Sequence, residues 1–389
     1  MPLEALPPRP GHGMTAEFNL ENFHQTIDVE PQEPRPLRTL PAEWAPQSAI
    51  LISWPHAETD WADILDEVTE CYVRMAYAIA AHQPLIVLVV EGLDVSSLLE
   101  KRLPQAVFSN ITFVVVPKTN DTWVRDYGFL TVQSTGGAEL MDFRFNGWGG
   151  KFKAEHDNAA NRLLFEAQLL RGHYVDALDF ELEGGGIESD GCGTLLTTAE
   201  CLLNPNRRRQ GDAVPTPDKA QVEALLKERL GVERILWLHH GYLAGDDTDS
   251  HIDTLARLCP NDTIIYVQCT DTADEHYEAL AAMEQELQAF RTLEGKPYRL
   301  IPVPLPDACY DEEERLPATY ANFLIMNKVV LVPTYAQPEK DALALKNIQK
   351  AFPEREIIGV DCRALIRQHG SLHCATMQFP REVFRTPAQ

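Results

Sequence analysis

Basic residues are scarce in this chain. Thirty-four Lys and Arg stand against 58 Asp and Glu, a formal net charge of −24 at pH 7. A chain so negative is repelled by nucleic-acid phosphates and anionic lipid, so neither partner is expected, whereas a small cation would be drawn in. Plain solubility explains the same charge equally well. Long apolar runs are missing too. PLIVLVV at 84–90 is too short to cross a bilayer, and the opening MPLEALPPRPGHGM has no basic n-region or apolar h-region, so neither export nor a membrane role is expected. The eight cysteines, at 71, 192, 201, 259, 269, 309, 362 and 374, form no CxxC pair and no dense framework, which suits a reducing compartment and makes the cytoplasm the expected location. HExxH is absent, and GGGI at 184–187 lacks the third glycine of a dinucleotide-binding fingerprint and precedes the strand-like TLLTT.

What is present is ample material for a core, with 44% hydrophobic residues in 389, enough for two average domains or one large repetitive one. Residues 1–38, rich in Pro and Glu, read as a flexible extension, and 39–385 read as one domain without a Pro- or Ser-rich linker. Strands and helices alternate along it. Strands are expected at 48–54, 84–90, 111–116, 234–239, 263–269, 298–303 and 356–360, with helices at 61–82, 157–171, 217–230, 274–291 and 339–351. FLIMNKVVLVP (323–333) reads as a hairpin turning at Asn327-Lys328. The class is α/β.

Four segments carry chemistry. GSLHCATMQ holds Cys374, DSHIDT holds His251 and Asp253, DTWVRDYG holds Asp126, and LEGGGIESDG holds Glu183. A thiol, an imidazole and three carboxylates form a set able to hydrolyse a guanidinium group by covalent catalysis. The group is a planar cation, so carboxylates in its plane bind it by charge-assisted hydrogen bonds and leave a face open to sulfur. These residues recur at roughly 60-residue steps, the last interval being about twice the others, which hints at modules that each deliver one segment to a shared centre. Each also has a bland reading. Asp126 could pair with Arg125, Asp253 could cap a helix near Thr254, and the glycines 184–186 could form only a tight turn. Trp54 and Trp123 read first as core, NRRRQ at 206–210 as surface charge, and Asp246, Asp247 and Asp249 as a solvated loop from which one carboxylate could meet a distal ammonium. His373, beside Cys374 in a segment read as extended, is expected to face away from it.

In order along the chain, PAEWAPQSAILISWP, NDTWVRDYG, LEGGGIESDG, CLLNPNR, GDDTDSHIDTLAR, LPATYANFLIMN and HGSLHCATMQ resemble the agmatine deiminases, in the guanidino-group-modifying superfamily that also holds arginine and bacterial peptidylarginine deiminases. The resemblance spans Leu37 to Pro380. It implies a pentein fold, a five-bladed pseudo-symmetric α/β propeller of ββαβ modules around a central pit. It further implies Cys374 as nucleophile, His251 as general acid/base, Asp126 and Asp253 as guanidinium ligands, and Glu183 as partner of the His and substrate. Trp123, Asp249, Gly185 and Gly186 become candidate substrate contacts. Hydrolysis of agmatine to N-carbamoylputrescine and ammonia, a step toward putrescine and polyamines, would need no cofactor and no metal. Homo-oligomerisation is left open. Arginine or peptidyl arginine is the alternative substrate, kept open by NRRRQ. A metal-dependent hydrolase using His251, Asp253 and Cys374 as zinc ligands is the rival mechanism, and a non-enzymatic binding module the remaining class.

Overall fold

The computed structural model describes residues 37–207 and 218–385. The extension expected at 1–38 therefore lies outside the described residues except at its end, where Arg38–Thr39 form a short strand antiparallel to Ser134 and Gln133. The expected alternation of strands and helices is present. PLIVLVV becomes the strand Leu85–Val90, buried almost throughout because it is flanked by parallel neighbours on both sides, and such strands read as continuous apolar runs. On the helix Leu65–Ala80 the residues Val68, Cys71, Tyr72, Met75 and Ile79 recur every three or four positions and are fully buried against this sheet. The strand Ile111–Val116 is less buried than its apolar sequence suggests, with Val115 exposed, because it forms the sheet edge. The expected hairpin is formed, with Met326 N–H donating to Val329 C=O across Asn327-Lys328.

Five sheets repeat one connection: an antiparallel strand pair, a helix, then a strand parallel to the second. The units are Leu130–Ser134, Gly137–Arg144 and His173–Glu181 around the helix Glu155–Glu166; Ile187–Ser189, Thr194–Thr198 and Arg234–Leu238 around Lys219–Leu230; Ala256–Cys259, Thr263–Gln268 and Arg299–Pro304 around Tyr277–Ala289; Leu324–Ile325, Val329–Thr334 and Glu356–Asp361 around Pro338–Gln349; and Met377–Pro380 paired with Gln47–Ser53, followed by Leu65–Ala80 and Leu85–Val90. The last unit joins the C-terminal strand to the N-terminal one, tying the ends of the described fold together. Among the described residues no helix is long and apolar enough to cross a membrane.

The repeat accounts for the spacing of the candidate residues. Asp126, Glu183, His251 with Asp253, and Cys374 each lie a few residues before the first strand of a unit. The doubled interval between His251 and Cys374 hides one more unit, whose lead-in carries Asn322.

Away from that centre, the helix Lys219–Leu230 begins on a capping box of Asp218 and Gln221 and ends at Gly231, whose φ of 69° places it in the left-handed region. A Cβ on Gly231 would stand 2.0 Å from the Arg38 carbonyl oxygen, whereas Gly92, with φ 83°, faces open space. Gly231→Ala should cost about 2 kcal/mol or more, since strain and clash add, and Gly92→Ala about 1 kcal/mol from conformation alone. Thermal melts of the two variants should fall in that order, and equal shifts would show that the Arg38 contact yields freely.

Candidate functional site

The lead-in turns converge. Asp126 sits in the short helix Val124–Tyr127, where Arg125 N–H donates to the Cys374 carbonyl at 3.2 Å. Its own carboxylate does not pair with Arg125, whose guanidinium reaches the His373 carbonyl instead. Asp126 Oδ2 accepts from Trp148 Nε1 and Oδ1 from Gly185 N–H, both at 2.9 Å. Gly185 has no alternative residue here, because a Cβ would lie 2.7 Å from both Asp126 Oδ1 and His251 Nδ1. The glycines thus serve close approach. Gly185 and Gly186, expected as substrate contacts, stand with Glu183 and Asp253 just behind the residues that line the adjoining pocket.

His251 follows a turn held by Asp246, whose carboxylate accepts from Thr248 Oγ1 at 2.6 Å and Ser250 N–H at 2.7 Å. Asp253 lies inside the turn Ile252–Thr254 and caps no helix. Cys374 is buried in a tight turn rather than a strand: Ala375 N–H donates to Ser371 C=O and Thr376 N–H to His373 C=O. Alternation of side chains therefore does not apply, and the expectation that His373 faces away from the thiol's side fails. His373 Nδ1 is 2.8 Å from Asp253 Oδ2, the oxygen that also lies 3.7 Å from Cys374 Sγ. Asn322, which lies in LPATYANFLIMN but was not singled out as a site residue, stitches the turn: its Oδ1 accepts from His373 N–H at 2.9 Å and Cys374 N–H at 3.3 Å, and its Nδ2 stands 3.2 Å from the sulfur.

Glu183 lies behind His251, and Arg207 Nε approaches its Oε1 to 2.7 Å, off-line for a hydrogen bond. Arg207 belongs to the run read as surface charge, yet its side chain is buried and also reaches Asp249 and the Thr248 carbonyl. Arg208, Arg209 and Gln210 lie outside the described residues. Asp249 is likewise not where a substrate contact was expected. Its backbone and that of Ser250 take positive φ, and its carboxylate is engaged by Arg207, Lys151 and Asn206, away from the pocket.

The pocket is a partly open cleft of about 470 Å³, a volume that includes solvent at its mouth. Cys374, His251 and Asp126 lie at its base; Trp123, Trp148 and Phe152 give aromatic walls, and Asp60, Asp121, Asp246 and Asp247 add acid. No Arg or Lys is among the described residues that line it. Trp123 thus reaches the pocket as well as the core, packing against Trp61, while Trp54 is core alone, edge-on to Tyr72.

Burial and like charge set the protonation of the centre. Burial pushes the Cys374 thiol well above its ordinary value, and the charges of Asp253 and Asp126 push the same way. Burial also raises Asp126, and with Asp253 and Glu183 adding to it against His251, its carboxyl reaches about 6. For Asp253 burial is outweighed by the His373 hydrogen bond and the His373 and His251 charges, and the carboxyl stays below its usual range. Burial would lower His251, but Asp126, Cys201 and Glu183 overcome it and hold the imidazole well above its ordinary value. The arrangement is a neutral thiol and a cationic imidazole within one acidic cavity.

Two groups of side chains have metal-donor spacing: Glu183 with Cys201 and His251, and Glu43 with Glu188 and His373. Neither is the set expected for a zinc hydrolase, and each is already occupied by a guanidinium. Arg207 stands against Glu183 at 2.7 Å, and Arg257 Nη2 lies 2.7 Å from Glu43 and 3.0 Å from His373 Nε2. A divalent ion there would face a fixed positive charge.

Residues 39 to 380 match the Porphyromonas-type peptidyl-arginine deiminase family. The chain belongs to that family. A Porphyromonas gingivalis structure carried under the provisional name arginine deiminase is 50% identical, with a TM-score of 0.82, over 90% of this chain and 100% of that one. The Cys-to-Ser variant of C. jejuni agmatine deiminase with substrate bound is 36% identical, with a TM-score of 0.78, over 91% and 100% of the two chains. Among curated relatives of this deiminase-family chain, the agmatine deiminase of Stutzerimonas stutzeri is 31% identical over 89% of this chain and 96% of its own.

The raised thiol predicts slow alkylation. At pH 7 iodoacetamide should label the exposed Cys192 well before Cys374, and Cys374 labelling should climb steeply with pH as thiolate forms, followed peptide by peptide by mass spectrometry. Fast labelling of Cys374 at pH 7 that is flat with pH would instead mean a preformed thiolate.

Proposed function

We propose that this chain is an agmatine deiminase, hydrolysing agmatine to N-carbamoylputrescine and ammonia in the direction of putrescine and polyamine synthesis. The observation that carries the reading is the wall of the pocket: acid and aromatic side chains, without a described cationic one, over a base of Cys374, His251 and Asp126. Agmatine is a dication with an apolar tether, and free arginine would need a cationic clamp for its carboxylate. Relatives named agmatine deiminase support the choice. Asp246 and Asp247, rather than the engaged Asp249, are our candidates for the distal ammonium. We also infer one catalytic domain over 39–385, and take the five repeating sheets as support for the propeller arrangement.

Substrate binding begins the mechanism. The guanidinium places its N–H edges on Asp126 and Asp253, and its positive charge offsets the carboxylates that keep the thiol protonated, so once the cation is bound the thiol releases its proton to solvent and the thiolate forms. Sulfur attacks the central carbon. As the C–N bond to the terminal NH₂ breaks, protonated His251 gives its proton to that nitrogen, and ammonia leaves an S-alkylthiouronium. Neutral His251 then takes a proton from water, the oxygen adds to the same carbon, and C–S cleavage returns the thiol and the ureido product. Asn322 holds the sulfur in line, and Glu183 stands behind the imidazole as a charge partner.

A second reading has its own observation. A groove that shares Asp60, Asp121, Trp148 and Phe152 with the pocket mixes Lys118, Lys151 and Lys153 with Glu58, Glu155 and Asp157, and such a mixed polar lining would suit a larger guanidine compound such as a peptide. Ammonia release from agmatine, arginine and peptidyl arginine separates the two: we expect kcat/KM for agmatine to exceed the others by about 100-fold or more, and a preference for either arginine form reverses the assignment. Cys374→Ser should reduce turnover of the preferred substrate to below a few per cent while leaving the fold intact.

The pH profile follows from the centre's charges. Asp126, at about 6 in the free protein, binds a cation only when ionised, so kcat/KM should fall as pH drops through that region. His251 must be protonated to release ammonia, so the alkaline limb should appear well above its ordinary value. Asp126→Asn should remove the acid limb together with at least about 3 kcal/mol of transition-state stabilisation. A variant that keeps both rate and limb would take Asp126 out of the site.

A further inference from the structure

Four of the segments that carry the family resemblance hold a charged residue that the mechanism leaves unused: Glu43, Glu188, Arg257 and His373. In the fold they meet. His373 Nε2 lies 2.8 Å from Glu43 Oε2, which also accepts from Arg257 Nη2 at 2.7 Å, and Glu43 Oε1 accepts from Ile325 N–H at 2.7 Å. Arg257, fully buried, donates further to Glu188 and to the carbonyls of Ala321 and Phe323, and Glu188 Oε2 accepts from Leu258 N–H at 3.1 Å. The chain of contacts ends at Asp253, through His373 Nδ1 on Oδ2.

Its effect on Asp253 is asymmetric. Oδ2 is fixed by His373, whereas Oδ1 is buried and has no hydrogen-bond partner among the described residues. A carboxylate with one oxygen fixed has a defined plane and one free acceptor, as an in-plane grip on a guanidinium requires. We propose that His373, braced from behind by Glu43, is a positioning residue for the reaction assigned above: it fixes the Asp253 carboxylate so that Oδ1 is the oxygen that receives a substrate N–H. The inference rests on the deiminase reading and extends it to a pair of residues that touch neither substrate nor thiol.

Charge comes with the geometry. The groups facing Asp253 are Asp126, Cys374, His251, His373, Arg257 and, more distantly, Arg125. Of these, His373 gives Asp253 its direct hydrogen bond and favours its ionised form. Removing His373 should therefore raise the Asp253 carboxyl toward that of Asp126, and once both must be ionised to grip a cation, the acid limb that Asp126 alone sets in the unmodified protein should move up and steepen.

The test uses His373→Asn, His373→Ala and Glu43→Gln in the full-length chain, each also combined with Cys374→Ser. The asparagine amide can stand where Nδ1–H stands, restoring the hydrogen bond without the imidazole. We expect His373→Ala to lower kcat/KM for agmatine about 100-fold, with KM rising more than kcat falls, because a misplaced binding group costs on that order. His373→Asn should recover to within about tenfold above pH 8 yet show its acid limb displaced upward, and Glu43→Gln should shift the limb the same way by less. Calorimetry on the Cys374→Ser forms should show agmatine binding weakened by the alanine variant and largely restored by asparagine. A folded His373→Ala enzyme with unchanged KM and acid limb would overturn the inference, as would a fall in melting temperature with no change in pH profile. If the alanine variant does not fold, an unshifted acid limb in His373→Asn overturns it alone. Cys374→Ser protein that binds no agmatine, together with an unmodified chain that releases no ammonia from it, would overturn the deiminase reading and this inference with it, a result distinct from tight binding that ignores His373.

Discussion

Three carboxylates are buried around one thiol, and each ion taken out of water costs several kcal/mol unless an opposite charge or a set of hydrogen bonds answers it. The three differ in what stands against them. Glu183 has Arg207 against it, and Asp253 has His373 with Arg257 behind. Asp126 has no arginine. It receives two neutral donors, Trp148 and Gly185, and an imidazole at 3.6 Å, and its carboxyl rises to about 6 while that of Asp253 falls. Like residue types in one cavity thus acquire different protonation, and the difference comes from what stands behind each of them.

The same constraint explains the reach of the network. Arg257 and Glu43 are 214 residues apart, and Glu43 and His373 are 330 apart. A fold that turns the starts of its units toward a common centre brings them together, and a cation brought from elsewhere in the chain can compensate a carboxylate whose own neighbours cannot. Arg125 illustrates the point. It sits beside Asp126 in sequence but turns to the His373 carbonyl, leaving Asp126 to the pocket.

This history of contacts also marks where the sequence could and could not be read. Cys374, His251, Asp126, Asp253 and Glu183 stand in segments whose residue types announce chemistry, and the helix Leu65–Ala80 announces itself by its apolar stripe. Asn322 is a neutral amide without titration or periodicity, and although it lies in LPATYANFLIMN and the doubled spacing points to its region, no residue-type signal singles it out. Arg207 closes CLLNPNR, yet it is also the first of three consecutive arginines, which look alike until one of them is buried. His373 was misread because alternation of side chains was assumed for a segment that folds as a turn, and no local propensity in GSLHCATMQ distinguishes the two. Asp249 shows the same limit: in GDDTD, loop φ values rather than composition decide that its carboxylate meets Lys151, Arg207 and Asn206.

The centre keeps a remainder that packing does not satisfy. Both ring nitrogens of His251, Asp253 Oδ1 and Arg125 Nη2 are buried without hydrogen-bond partners among the described residues. Each such group costs on the order of 1–3 kcal/mol, a large sum beside the net stability of a domain, so a sequence shaped for stability alone would have filled the cavity with apolar side chains. The unmet groups divide by kind. Asp253 Oδ1 calls for an N–H donor whereas protonated His251 and Arg125 call for acceptors, and a planar cation with paired N–H edges answers the first while its charge relieves the repulsion among the carboxylates. Binding such a ligand would repair part of the mismatch that folding leaves behind. Stability given up at the centre would reappear as affinity for a guanidinium, and the surrounding contacts keep that loss local: Arg207 stands against Glu183, His373 fixes Asp253, and Trp148 with Gly185 fixes Asp126.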